Sequence, residues 1–124
     1  MINNYQKKEN LRFGFGNNWK NYLKNISDKN IIDTIDSLSS MLEVDSLEKK
    51  EFIDIGSGSG IFSLAARKLG AKVTSFDYDQ NSVECTKKLK EKFFRNDINW
   101  NIFKGSILDN QFLHRFKKFD IVYA

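Results

Sequence analysis

The sequence predicts an α/β fold: a doubly wound parallel sheet, truncated after its fourth strand and preceded by an N-terminal helical extension. Three observations lead there. From about residue 50 onward, short apolar runs suited to buried strands alternate with stretches of helical periodicity. A glycine-rich loop joins the first of those strands to the first of those helices. The residues before it carry helical periodicity alone, which separates an N-terminal arm with helices (residues 1–48) from a strand–helix unit (residues 49–124).

Each element follows from its residues. Residues 1–16 are polar and contain glycine, and read as an arm rather than core. From Asn17 a helix is expected, because Trp19, Tyr22, Leu23 and Ile26 recur at i, i+3, i+4 and i+7. Ser27 or Asp28 offers an N-cap for a second helix whose apolar stripe is Ile31, Ile32, Ile35, Leu38, Met41 and Leu42. A polar stretch, 45–50, ends this front piece. Residues 52–55 read as a short buried strand, 56–60 as a tight loop, and 61–69 as a helix closed by Gly70. A second strand over 72–76 ends at Asp77, and a helix over 81–94 presents Val83, Thr86, Leu89 or Lys90, and Phe93 inward. Trp100 and Ile102 belong to a third strand ending near Gly105; a short helix over 111–116 precedes a fourth strand over 119–123. Alternation at these lengths implies parallel units with right-handed crossovers, hence a Rossmann-like layer. The outer side of the fourth strand is expected to be an open apolar edge, suited to a second copy or a partner.

Composition narrows the function class. The 124 residues are 40% hydrophobic, 29% charged and 14% aromatic, a globular profile far from that of disorder. The single cysteine, Cys85, excludes an internal disulfide and suits a reducing compartment. No run approaches the roughly 18 apolar residues of a membrane span, and the N-terminus lacks the apolar core of a signal peptide, so a soluble cytoplasmic protein is expected. The formal charge of +4 invites a nucleic-acid reading. However, the basic runs at 87–92 and 115–118 are broken by acidic or apolar residues at helical spacing, as on a solvated helix face.

The chemistry concentrates in Phe52-Ile53-Asp54-Ile55-Gly56-Ser57-Gly58-Ser59-Gly60. Glycines between a strand and a helix let the backbone approach a ligand beside unpaired helix N–H groups. The dinucleotide fingerprint needs its third glycine where Ile61 stands, and no lysine follows as a phosphate-binding loop requires. Asp54, two residues before the first glycine, would repel a pyrophosphate but suits a cation. S-adenosylmethionine carries a sulfonium and an ammonium and no phosphate, so the charge logic selects it as the cofactor. Asp77 lies 21 residues beyond Gly56, at a strand's carboxyl end, where a carboxylate accepts from ribose hydroxyls. Tyr78 beside it is placed to pack on an adenine ring. Ser106 and Ile107, at the end of the third strand, are placed to meet the adenine by side chain and by backbone N–H respectively. Asp109 reads as an N-cap, His114 as an ordinary helix residue and Cys85 as a small buried one. No catalytic residue and no metal-ligand spacing is assigned.

Asp-Ile-Gly-Ser-Gly-Ser-Gly, Asp77, Gly-Ser-Ile-Leu-Asp after the third strand and Phe-Asp-Ile-Val-Tyr in the fourth, taken together, resemble the successive cofactor motifs of class I methyltransferases. The segment Arg12-Phe13-Gly14-Phe15-Gly16-Asn17-Asn18-Trp19 is similar to the leading arm of a bacterial, small-molecule methylase-like branch. The resemblance implies that Asp54, Gly56, Gly58 and Gly60, with Ser57 between them, line the methionine end of the cofactor, and that Asp77 holds the ribose. The position of Ser106 is more often aspartate in that family, which weakens a side-chain bond to the adenine.

The expected function is therefore methyl transfer from S-adenosylmethionine to a small-molecule acceptor, with weak binding and no turnover by a truncated chain. Two other readings stay open: an NAD-binding oxidoreductase half, opposed by Ile61 and Asp54, and a non-catalytic docking module on the same fold. The helical front piece acts either as a lid over the cofactor or as cover for one face of the sheet.

Overall fold

A computed structural model describes residues 19–105 and 119–124. Helices α1 (Trp19–Asn25) and α2 (Asp28–Leu42) come first, followed by β1 (Glu51–Ile55), α3 (Ile61–Lys68), β2 (Lys72–Asp77), α4 (Gln80–Phe93), β3 (Trp100–Lys104) and β4 (Ile121–Tyr123). The four strands form one sheet in the order β3-β2-β1-β4, all neighbours parallel. The strand–helix alternation is as the sequence predicts. The expected helix over 111–116 lies outside the described residues.

The strand order places a reversal beside β1. From β1 the chain steps outward through β2 to β3, then returns to lay β4 on the opposite side of β1. Ligands of open α/β sheets sit at such a reversal, outside the carboxyl ends of the strands. Register puts Asp54 level with Ser75 on one side and Tyr123 on the other.

Alternation along β1 sorts its residues between two faces. Phe52 turns toward the helical layer, where it joins Leu64, Val73, Leu89 and Trp100 in the main core. Ile53 turns the other way, with Phe76 and, partly buried, Ile55 and Phe119. Tyr123 of β4 also belongs to the helical face, stacked on Phe62 with ring centroids 4.7 Å apart.

The front helices cover that same layer: α2 lies along α3, and α1 along α4. Ser27 is the N-cap of α2 and forms a reciprocal capping box with Asn30. The apolar stripe of α2 is narrower than expected. Ile31 and Leu38 are buried and Ile35 and Leu42 pack partly against the core. Ile32 and Met41 are more than half exposed, at 55% and 56%, because they fall off the i, i+4, i+7, i+11 line that meets α3. After α3, Gly70 takes φ 106 and runs against Glu48, so the turn into β2 needs a residue without a Cβ.

Candidate functional site

The loop 56–60 leaves β1 and enters α3 with Gly56, Gly58 and Gly60 all at positive φ. Gly56 and Ser57 both donate their N–H groups to Phe76 O, at 2.9 and 3.0 Å, which ties the loop to the end of β2. Gly60 is the N-cap of α3, and a Cβ there would lie 2.9 Å from the side chain of Thr86. Thr86 Oγ1 is 3.2 Å from Gly58 O and 3.0 Å from Ser82 O, acceptors for its hydroxyl, and 3.2 Å from Ser57 Oγ. Thus α4 holds the loop through Thr86, a residue the sequence marks only as an inward helix position.

Two carboxylates flank the loop. Asp77, 1% exposed, accepts from Gly58 N through Oδ2 and from Asp79 N through Oδ1, both at 3.0 Å. Asp54, 2% exposed, accepts from Ser63 Oγ at 2.6 Å. Ser63 Oγ is 2.5 Å from Ser75 Oγ, which in turn accepts from Trp100 Nε1 at 3.0 Å. Sequence reasoning missed Ser63, Ser75 and Trp100 as partners of Asp54. The available signal was the presence of two serines at positions that the periodicity makes core.

The remaining predicted residues divide. Tyr78, beside Asp77, is 57% exposed. Asp79 is the N-cap of α4, its side chain accepting from Asn81 N. Ser106, Ile107, Asp109 and His114 lie outside the described residues. The preceding Gly105 donates its N–H to Asp77 O at 2.9 Å, so the end of β3 does come beside Asp77. Cys85 is buried with Sγ 3.6 Å from Ser59 O, and burial pushes its thiol up to about 12, well away from nucleophile chemistry. Among the described residues no cluster of His, Cys, Asp or Glu is arranged to hold a metal ion. None of the described helices is long and apolar enough to cross a membrane.

A cavity of about 440 Å³ opens where α1 and α2 meet the start of α3, lined among others by Tyr22, Asn25, Asn30, Ser59 and Phe62. Tyr22 reaches the glycine loop by a hydrogen bond with Ser59; burial nevertheless raises the phenol above its ordinary value. Tyr123, level with Asp54, is raised too, first by burial and then by the Asp54 charge. Both phenols therefore stay protonated at neutral pH.

The fold and this loop define a class I methyltransferase architecture. The chain matches similar folds in the C-terminal domain of precorrin-6Y C5,15-methyltransferase from Rhodobacter capsulatus (TM-score 0.57, 16% identity, 64% of this chain and 41% of that one). A dimethyladenosine transferase from Plasmodium falciparum is also similar (TM-score 0.54, 22% identity, 78% of this chain and 31% of that one). At such identities these likenesses show the fold alone. The family follows from sequence: the profile of the ribosomal protein L11 methyltransferase (PrmA) family matches residues 33–124, and the chain belongs to that family. A ribosomal protein L11 methyltransferase of Prochlorococcus marinus (strain MIT 9312) is 36% identical over 118 residues, 84% of this chain. Another, from Helicobacter hepaticus, is 36% identical over 80 residues, 63% of this chain. The chain spans 39% of the first relative's length and 24% of the second's.

Proposed function

We propose that this chain carries the S-adenosylmethionine site of a methyltransferase whose acceptor is a protein of the ribosomal L11 kind. One observation carries the cofactor reading: two buried carboxylates close adjacent parallel strands and flank a glycine loop, and no basic residue lies between Glu51 and Ala66. Such a donor set fits a cation bearing ribose hydroxyls and does not fit a pyrophosphate. The family match supports it independently.

In this reading Asp54 and the loop residues Gly56, Ser57, Gly58 and Gly60 receive the methionine end. Asp77 would receive the ribose hydroxyls. Tyr78 is assigned to the adenine, and Ser106 and Ile107 keep the adenine-side role expected of them from the sequence. When bound, the cofactor supplies an electrophilic methyl group on a sulfonium. What the chain's own residues add is alignment: a ligand fixed at both ends by carboxylates on neighbouring strands presents its reactive atom in one direction, removing the entropic cost of finding it. Water exclusion falls to the layer formed by Tyr22, Phe62 and Tyr123, two of which stack in direct contact.

The relatives' names point to a protein acceptor, in place of the small molecule expected from the arm at residues 12–19. The NAD reading is opposed by the Asp54 carboxylate next to the loop and by Ile61 at the third glycine position. Calorimetric titration with S-adenosylhomocysteine, with NAD as control, tests the proposal. Saturable binding of the first and no heat from the second is expected; NAD binding by the folded chain would overturn it.

A further inference from the structure

The buried polar chain that ends on Asp54 runs through four elements: Trp100 on β3, Ser75 on β2, Ser63 on α3 and Asp54 on β1. All four side chains are buried, at 2% exposure or less. Its direction is fixed by its far end. An indole Nε1 only donates, so Ser75 Oγ must accept from Trp100. Each serine hydroxyl holds one hydrogen. If Ser63 gives its hydrogen to Asp54 Oδ2, the hydrogen between the two serines comes from Ser75; each serine then gives one bond and takes one, between an indole that only gives and a carboxylate that only takes. Run the other way, a protonated Asp54 would donate to Ser63 and Ser63 to Ser75, which would then accept twice with its own hydrogen left over. Polarity imposed at β3 thus aims a donor at Oδ2 of a carboxylate on β1, two strands away, and a donor aimed at a carboxyl group favours its charged form.

We propose that Ser63 and Ser75 are positioning residues for Asp54, delivering the donor polarity of the Trp100 indole to its carboxylate and so holding it ionised and oriented toward the loop. This rests on the methyl-donor reading only in the use made of Asp54; the chain's own coupling does not depend on any ligand. Hydrogen bonds in series polarise one another in a low-dielectric interior, which lets a change at one end be felt at the other.

The test reads the two ends separately. Nitrogen-15 labelling of the two tryptophans gives two indole N–H resonances, Trp19 serving as the internal reference. At neutral pH, Asp54→Asn should shift the Trp100 indole resonance in the otherwise native chain. The same substitution should leave it unmoved when Ser63 is already alanine. Equal shifts in both backgrounds, or none in the first, overturn the proposal whether or not any ligand binds. If Ser63→Ala does not fold, Ser75→Ala cuts the chain one link earlier and replaces it.

A second arm measures S-adenosylhomocysteine binding from pH 5 to 8. Ser63→Ala should bind about tenfold more weakly, as for loss of a hydrogen bond to a charged group. Its loss of binding toward acid should also begin at a higher pH than in the native chain. Native-like affinity and pH profile in a folded Ser63→Ala count against the proposal. Absence of binding by the native chain counts against the methyl-donor reading instead, and leaves the resonance experiment to decide the coupling.

Discussion

Asp54 and Asp77 close neighbouring strands of one sheet and are buried to the same degree, yet the fold holds them by different means. Asp77 is clasped by backbone amides, those of Gly58 and Asp79. Asp54 is held by a serine hydroxyl backed by a second serine and an indole, contributed by three other elements. Backbone donors persist through almost any substitution at their own positions, provided the loop keeps its path. Side-chain donors vanish with one base change. Asp77 is therefore robust to drift and sensitive to loop geometry, whereas Asp54 has the opposite exposure.

The largest expected break is on the Asp77 side. Asp77→Ala should weaken S-adenosylhomocysteine binding about 100-fold, because the charge-assisted bonds to ribose that the proposed function assigns to it would go together with the clasp on the loop. Calorimetry measures it, and Asp77→Asn, which keeps one acceptor oxygen, should lose less. Next comes the loop path itself. Gly60→Ala places a Cβ 2.9 Å from Thr86 at φ 85, which should cost about 2 kcal/mol in urea unfolding. Adding Thr86→Ala should recover the crowding but not the backbone strain; full recovery would show that φ matters little here. On the Asp54 side, Trp100→Phe should cost about 1–2 kcal/mol, through a lost buried hydrogen bond and a smaller ring. Loop amide exchange at Gly58 should stay as slow as in the native chain, since that clasp belongs to Asp77.

The smallest effect is a control remote from both carboxylates. Arg67 Nε lies 2.7 Å from Asp97 Oδ2 and Arg67 stands over the Phe94 ring at 5.2 Å. Burial works to raise the Asp97 carboxyl, but the bonds from Arg67 and Asn99 N and the nearby Arg67 and Lys90 charges outweigh it and hold it below its ordinary value. A carboxyl lowered in the folded chain contributes stability that is complete above its unfolded value of about 3.9 and disappears as pH falls through its folded value. Asp97→Asn should flatten the acid limb of unfolding midpoint against pH, leaving cofactor-analogue affinity untouched.

The difference between the two carboxylates also explains what the sequence reveals and what it hides. Asp77 is legible because its distance from the glycine loop is a chain property, and the amides that hold it belong to the same two loops. The partners of Asp54 are not legible. Ser75 comes level with Asp54 only once β1 and β2 are in register, and Ser63 meets it only once α3 is docked. The strands and crossover helices are readable from periodicity, since each buries one side locally. The outward placement of Ile32 and Met41 is not, because it depends on which line of α2 meets α3.

The strand order carries a consequence for the time course of folding. β1 reaches β2 across a loop of about twenty residues, closed by α3, with Glu51 level with Lys72. Its other seam, against β4, is far more distant in the chain: Glu51 N donates to Asp120 Oδ2 at 2.8 Å across a separation of 69 residues. Closing the longer loop costs about 1 kcal/mol more in chain entropy than the shorter, and such non-local pairing comes late. The β1–α3–β2 unit therefore has the head start, and it already contains the glycine loop, Asp77 and the Ser63–Asp54 contact. Tyr123, with its stack on Phe62 and its place beside Asp54, arrives with β4, so the wall at the strand-order reversal is the last part of the site to be built.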